Sequence, residues 1–272
     1  MPELPEVETT RRGISSHIVG HTITSVRINN KNLRWPVPVE KLQSALPGQK
    51  IISISRRAKY LLIDCGNGHL ILHLGMSGSL RIVDQTIQVE KHEHAEILFS
   101  NGTVMRLRDP RRFGAVLWTD EPPEQHSLLV SLGPEPLSDA FNGEYLFQQS
   151  RKRRCPLKNF IMNAHVVVGV GNIYASESLF HAGIRPSKAA GKLSRQSCSK
   201  LAQTIKLVLA QAIAAGGTTL RDFTDSNGRA GYFSQRLFVY ARGGENCLQC
   251  GGLIKRIQIG QRSSFYCPYC QK

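Results

Sequence analysis

Glu96-Ile97-Leu98-Phe99-Ser100-Asn101-Gly102-Thr103-Val104-Met105-Arg106-Leu107 sets two β-prone runs on either side of an Asn-Gly pair. Asn-Gly between apolar runs is the signature of a type I′ hairpin, because both residues tolerate the positive φ that suits the twist of paired strands. Moving toward the N-terminus, residues 22–28, 50–55, 60–64 and 69–74 repeat the same texture, with Gly66-Asn67-Gly68 as a second turn. Short strands punctuated in this way predict an antiparallel sandwich or barrel from Thr22 to about Thr119. A helix is expected ahead of it. Pro5 suits a first helical position, Glu6 and Glu8 suit a first turn, and Val7, Arg11, Ile14 and Ile18 share one side up to Gly20.

Beyond Glu121-Pro122-Pro123-Glu124, a linker by composition, the pattern becomes helical. Asn172 is the expected N-cap of a helix over 173–181 that Gly183 closes. Ser194 opens a longer one carrying Leu201, Ile205, Leu209, Ala212 and Ile213, stopped by Gly216-Gly217. Residues 218–232 read as a polar, mobile loop. The length of 272 residues suggests two domains, or two with a small appendage. No run is long and apolar enough to span a bilayer, and the acidic start lacks a signal-type apolar region. The expectation is a cytoplasmic protein with no membrane partner.

Charge supplies the first functional direction. Thirty-five Lys and Arg against twenty Asp and Glu leave a net charge of +15. Such a surface favours a polyanion, since each neutralised phosphate releases counterions, over an anionic membrane or a plain solubility charge. Of seven cysteines, Cys65, Cys155 and Cys198 are scattered and read as small buried hydrophobes. The other four form Cys247-Leu-Gln-Cys250 and Cys267-Pro-Tyr-Cys270. Each CxxC turn aims two thiolates at one ion, and two turns give a closed tetrahedral Cys₄ site. One structural Zn²⁺ is therefore expected rather than a redox pair, with a hairpin from 253–258 and 262–266 between the ligands. Four protein ligands leave the metal no catalytic position. A zinc-bearing, purely DNA-binding module would also satisfy these features.

Pro2-Glu3-Leu4-Pro5-Glu6-Val7-Glu8, His73-Leu-Gly-Met76-Ser-Gly, Asp109-Pro-Arg111-Arg112-Phe113-Gly, Val168-Gly-Val-Gly-Asn172-Ile-Tyr-Ala-Ser-Glu177 and the four terminal cysteines follow one another in order. Together they resemble bacterial formamidopyrimidine-DNA glycosylase over nearly the whole chain. The resemblance implies a multidomain α and β protein. A catalytic β-sandwich with an N-terminal helix would occupy 2–120, a linker 121–130, a helix–two-turns–helix domain 131–237 and a β-hairpin zinc finger 238–272. It also implies a monomer that acts on damaged double-stranded DNA in the bacterial cytoplasm, nucleoid-associated through that DNA. No organic cofactor is expected.

The implied activity is excision of oxidised purines, 8-oxoguanine opposite cytosine and formamidopyrimidines, followed by β,δ-elimination. Removal of Met1 would expose Pro2 as a secondary amine. An α-amine titrates near ~8 and a lysine near ~10.4, so its neutral fraction at pH 7 is roughly 250-fold larger. A secondary amine also yields a cationic iminium without needing a further proton. In the family pattern Glu3 protonates the sugar ring oxygen and Glu6 supports the pocket. Lys59 assists base release, and Arg262 grips phosphate for the second elimination. His73, His92, Arg111, Arg153, Lys158 and Asn172 match DNA contacts. Met76, Arg111 and Phe113 match the trio that fills the space left by a flipped nucleotide, while 218–232 corresponds to the segment covering that base. Two departures, His165 and Arg229-Ala230, bear on lesion ranking. The sister endonuclease VIII type, directed at oxidised pyrimidines, is the nearest alternative. Leu4, the trio and Tyr266-Cys267-Pro-Tyr-Cys270 favour the purine enzyme.

Overall fold

The structure is a computed structural model that describes residues 2–217 and 237–272. The expected covering loop and the Arg229-Ala230 departure lie outside the described residues. The chain divides into two compact units. In terms of described residues these are 2–130 with 216–217, and 131–215 with 237–272.

In the first unit, helix α1 (Leu4–Ile18) precedes two four-stranded antiparallel sheets. One sheet has the order β1 (Ile23–Ile28), β6 (Glu93–Phe99), β7 (Thr103–Arg108), β5 (Ser79–Asp84). The other runs β2 (Ser53–Arg57), β3 (Tyr60–Asp64), β4 (His69–His73), β8 (Ala115–Thr119). The sandwich reading holds. Val26, Ile54, Leu61, Leu70, Leu72, Ile97, Leu107 and Val116 from both sheets share one core with Val7, Ile14 and Ile18 of α1. β5, β8 and the short helix α2 (Val39–Ala45) were not legible in the sequence.

The hairpin at Asn101-Gly102 forms, but not as type I′. The loop spans three residues, and Gly102 (φ +80°) is left-handed while Asn101 is not. Asn101 Oδ1 instead accepts the Thr103 N–H at 3.1 Å, the short polar side chain imitating a backbone turn.

The second unit carries α3 (Gly143–Ser150), α4 (Leu157–Ile161), α5 (Asn172–Ala182) and α6 (Arg195–Ala214), then the hairpin β9 (Lys255–Ile259) and β10 (Arg262–Tyr266). Ser194 caps α6 as expected, accepting the Ser197 N–H at 3.1 Å, and left-handed Gly183 (φ +75°) closes α5. Asn172 is the first residue of α5, and Gly171 occupies the cap position assigned to Asn172 from sequence. Cys65 and Cys198 are buried, whereas Cys155 is exposed. Burial pushes the Cys65 thiol up to about 12, with nearby Asp64 adding to the effect, so it stays a neutral hydrophobe. Among the described residues, no helix is long and apolar enough to cross a membrane.

Candidate active site and nucleic-acid interface

Residues 2–8, which lead into and form the first turn of α1, are all buried. Pro2 is buried, and Glu3 and Glu6 are only 1% and 2% exposed. Glu6 Oε2 accepts the Glu3 N–H at 2.8 Å, and the Glu3 carboxylate accepts the Glu6 N–H in return. This reciprocal capping box satisfies donors that a helix start otherwise leaves open, and the helix dipole favours both carboxylates. The capping role thus falls on the same residues for which a chemical role is expected. One turn later, burial raises the Glu8 carboxyl, but Arg11, Arg12 and Arg56 outweigh it and hold it below the usual range. Arg56 contacts Glu8 Oε2 at 3.3 Å and also donates to the Ala58 carbonyl at 2.8 Å. That carbonyl belongs to the two-residue turn between β2 and β3, where left-handed Ala58 (φ +55°) sets Lys59 at the tip.

His73 ends β4 opposite Tyr60, their rings 4.8 Å apart. Its Nδ1 accepts the Gly75 N–H at 2.9 Å, which leaves the proton on Nε2. Burial, and then the charges of Lys59 and Arg34, lower His73 to about 4. At neutral pH it is an uncharged donor, suited to one hydrogen bond to a phosphate oxygen.

Two loops carry the wedge candidates. Met76 is 37% and Phe113 43% exposed, and Arg111 is exposed with its guanidinium 5.1 Å from the centre of the Phe113 ring. Large apolar side chains this exposed at loop tips, outside the core cluster, are available to a partner. His92, on the loop before β6, has positive φ (+74°) and is half-buried. Arg106 anchors that loop: it pairs with Glu93 and Glu96 inside the sheet and donates to the Ile87 and Gln88 carbonyls at 2.6 and 3.0 Å.

In the second unit Arg153 is exposed, with the neighbouring backbone fixed by Ser150 and Gly191. Asn172 opens α5, and its buried Oδ1 meets no protein donor. Arg262 is exposed at the start of β10, directly after the Gly260-Gln261 turn, and borders an open cleft of about 320 Å³ with Asn159, Met162 and Asn163. Lys158, expected beside DNA, is 1% exposed. Its ammonium donates to the Ser263 carbonyl at 3.2 Å and the Ser264 hydroxyl at 2.9 Å, next to Arg262 on the same strand. His165 is exposed and its Nδ1 lies 2.7 Å from the Ser131 carbonyl.

The sulfurs of Cys247, Cys250, Cys267 and Cys270 lie within 4.8 Å of one another. The Cys250–Cys267 and Cys247–Cys270 separations of 3.4 and 3.9 Å are far longer than a disulfide. They bracket the ~3.8 Å edge of a tetrahedron built on Zn–S bonds of about 2.3 Å. The donor set fits a closed structural zinc. Sequence reasoning missed Glu177 as an anchor: its buried carboxylate accepts the Phe238, Val239 and Tyr240 N–H groups at 2.8, 3.0 and 2.8 Å.

Comparison with known proteins agrees with this geometry. Family models described as formamidopyrimidine-DNA glycosylase N-terminal domain, formamidopyrimidine-DNA glycosylase H2TH domain and zinc finger found in FPG and IleRS match residues 1–116, 132–224 and 244–272. A formamidopyrimidine-DNA glycosylase of Thioalkalivibrio sulfidiphilus is 56% identical over 272 residues, covering 100% of both chains. The Lactococcus lactis Fpg (MutM) complex with Fapy-dG-containing DNA has a TM-score of 0.90 at 33% identity, covering 99% of this chain and 100% of that one. MutM in complex with carbocyclic 8-oxo-G-containing DNA has a TM-score of 0.91 at 34% identity, covering 100% of each. With its sandwich, helical and zinc-finger segments all matched in order, the chain belongs to the formamidopyrimidine-DNA glycosylase family.

Proposed function

We propose that this DNA glycosylase of base excision repair removes oxidised purines through covalent attack by Pro2 and then cuts the strand. The observation that carries the reading is the buried Glu3–Glu6 capping box, which fixes the chain start beside a carboxylate. Once Met1 is removed, the Pro2 nitrogen attacks C1′ of the damaged nucleotide and the base departs with the bonding electrons. The N–H proton that Pro2 loses on attack passes to Glu3, which hands it to the ring oxygen as the sugar opens. The resulting iminium accepts the electrons released when a C2′ proton is lost, and the 3′ phosphate leaves. A second elimination expels the 5′ phosphate. Lys59 assists the first steps from its turn, and Arg262 holds phosphate for the last.

The remaining roles follow position. Neutral His73, Asn172, Lys59 and Arg262 grip the phosphates of the extruded nucleotide, and His92 and Arg153 extend the contact. Phe113 separates the bases, Arg111 pairs with the orphaned cytosine and Met76 fills the void. Lys158 serves the same DNA contact from inside, through the strand that carries Arg262. The proposed divisions are a sandwich domain over 2–120, a linker over 121–130, a helix–two-turns–helix domain over 131–237 and a finger over 238–272. The proposed setting is the bacterial cytoplasm, on nucleoid DNA, as a monomer. The solved relatives bound to Fapy-dG and 8-oxo-G DNA support the purine preference.

Excision rates on 8-oxoguanine:cytosine and thymine glycol duplexes test it. A clear preference for the purine lesion is expected, and a pyrimidine preference would make the enzyme endonuclease VIII-like. Borohydride should trap a covalent adduct on either abasic or lesion DNA, and Pro2→Gly should suppress it. Absence of any adduct from Met-trimmed protein would reduce the chain to a DNA-binding module.

A further inference from the structure

We propose that Asp109 is a positioning residue that binds the two wedge loops and the His92 loop into one rigid piece, and thereby sets the preference for the base facing the lesion. The inference rests on the wedge reading of Met76, Arg111 and Phe113. Asp109 is fully buried. Its Oδ1 accepts the Ser77 hydroxyl at 3.1 Å and the Arg111 N–H at 3.3 Å, and its Oδ2 accepts the Gly114 N–H at 2.7 Å. The three donors belong to the residue after Met76, to Arg111 itself and to the residue after Phe113. Each wedge side chain is therefore tied to one carboxylate, Met76 through its neighbour's hydroxyl, Arg111 through its own N–H and Phe113 through its neighbour's N–H. The Asp109 main chain extends the tie, its N–H donating to the His92 carbonyl at 2.9 Å and its carbonyl lying 2.8 Å from His94 Nε2.

Glycines let the loops close on each other. A Cβ on Gly75 would fall 2.4 Å from the Phe113 carbonyl carbon, and one on Gly114 would fall 2.8 Å from the His73 carbonyl oxygen. Arg112 is held left-handed (φ +58°) between them, a conformation that persists where surroundings over-determine it. Met76 and Phe113 are partly exposed and stand outside the apolar core cluster, so their placement depends on this clamp. A carboxylate is required by the count. Three donors converge on two oxygens, while an asparagine keeps one acceptor and turns an N–H₂ group toward a remaining donor.

Asp109→Asn is compared with Ser77→Ala, Phe113→Ala and Arg111→Ala. The readouts are single-turnover excision of 8-oxoguanine opposite cytosine and opposite adenine, thermal melting, and borohydride trapping on an abasic site in single-stranded DNA, which needs no wedge. Displaced wedge groups should cost roughly 10- to 100-fold in duplex excision. The cytosine-over-adenine preference should narrow, with single-strand trapping within about 2-fold of wild type, since the Pro2 chemistry is untouched. Ser77→Ala, which removes one tie only, should show a several-fold loss and partial narrowing. Wild-type rate and preference in Asp109→Asn, alongside impaired Phe113→Ala and Arg111→Ala, would overturn the positioning role and leave the wedge reading intact. Equal loss of trapping and excision would make Asp109 merely structural and overturn it too. If Asp109→Asn does not fold, an unaffected Ser77→Ala overturns the proposal. Unimpaired Phe113→Ala and Arg111→Ala would remove the wedge reading and this inference together.

Discussion

The Asp109 loops and the cysteine finger solve one problem by different means. Both hold side chains proposed to meet DNA, Arg111 and Phe113 in one case and Arg262, at the start of β10, in the other. The loops stand on a sandwich whose core joins Leu70, Leu72, Leu74, Ile97, Leu107 and Val116, so a single buried carboxylate suffices to fix them. The finger's apolar cluster comprises Phe180, Val239, Cys247, Ile254 and Cys267, with Phe238, Phe265 and Cys270 against it. Three of those eight are metal ligands. A core this small does not order a hairpin alone, and the metal supplies the missing folding free energy. Positioning is thus delegated to hydrogen bonds where packing is ample and to thiolates where it is scarce.

Breaking the finger gives the largest expected effect. Chelation or Cys250→Ser should lower cleavage of a lesion duplex by at least about 100-fold, because Arg262 loses its fixed strand. The sandwich unit should keep its own melting transition, readable by calorimetry with and without chelator. Full-rate cleavage by zinc-free protein would show that the finger does not position Arg262.

Glu177→Gln attacks the finger from its protein side. One amide oxygen cannot serve three N–H groups, of which that of Val239 is buried, so a loss of about 1–3 kcal/mol is expected. Hydrogen exchange should accelerate at Phe238, Val239 and Tyr240 and remain slow in β3 and β4. Equal acceleration in the sandwich would erase the contrast between the two regions.

Lys158→Met sharpens the comparison by asking whether that ammonium serves the strand or the DNA. From its buried place on α4, with its ammonium against β10, it should alter the share of δ-elimination product several-fold, with little change in the salt dependence of binding. A direct phosphate contact would instead reduce the salt slope by about one.

The smallest effect is electrostatic. His73 in the folded protein resists protonation down to about 4, while unfolded histidine titrates near ~6.5. The unfolded chain binds the extra proton first, so His73 favours the fold above ~6.5 and progressively less as pH falls toward about 4. NMR titration of its ring should show a midpoint near 4 and no transition between pH 6 and 8. A midpoint near 6.5 would contradict the buried, neutral donor.

Much of this was legible in the sequence where local chemistry decides. The CxxC pairs declare their ligands by spacing, Ser194 and Gly183 mark helix ends, and Asn101-Gly102 places a hairpin even though the turn type differs. β5 and β8 were missed because their pattern is set by partners: Leu80 pairs with Leu107 and Val116 with Leu72, far away in the chain. The inward course of Lys158 and the convergence on Asp109 and Glu177 were missed for the same reason. Their donors and acceptors are brought together only by folding, and an acidic residue in a motif does not announce what it accepts.

Mass-spectrometric peptide mapping of the borohydride-reduced adduct tests the central claim most directly. The sugar remnant should sit on an N-terminal peptide that begins at Pro2 and lacks Met1. An active enzyme that retains Met1, or one whose remnant maps to Lys59 or any other residue, would contradict it.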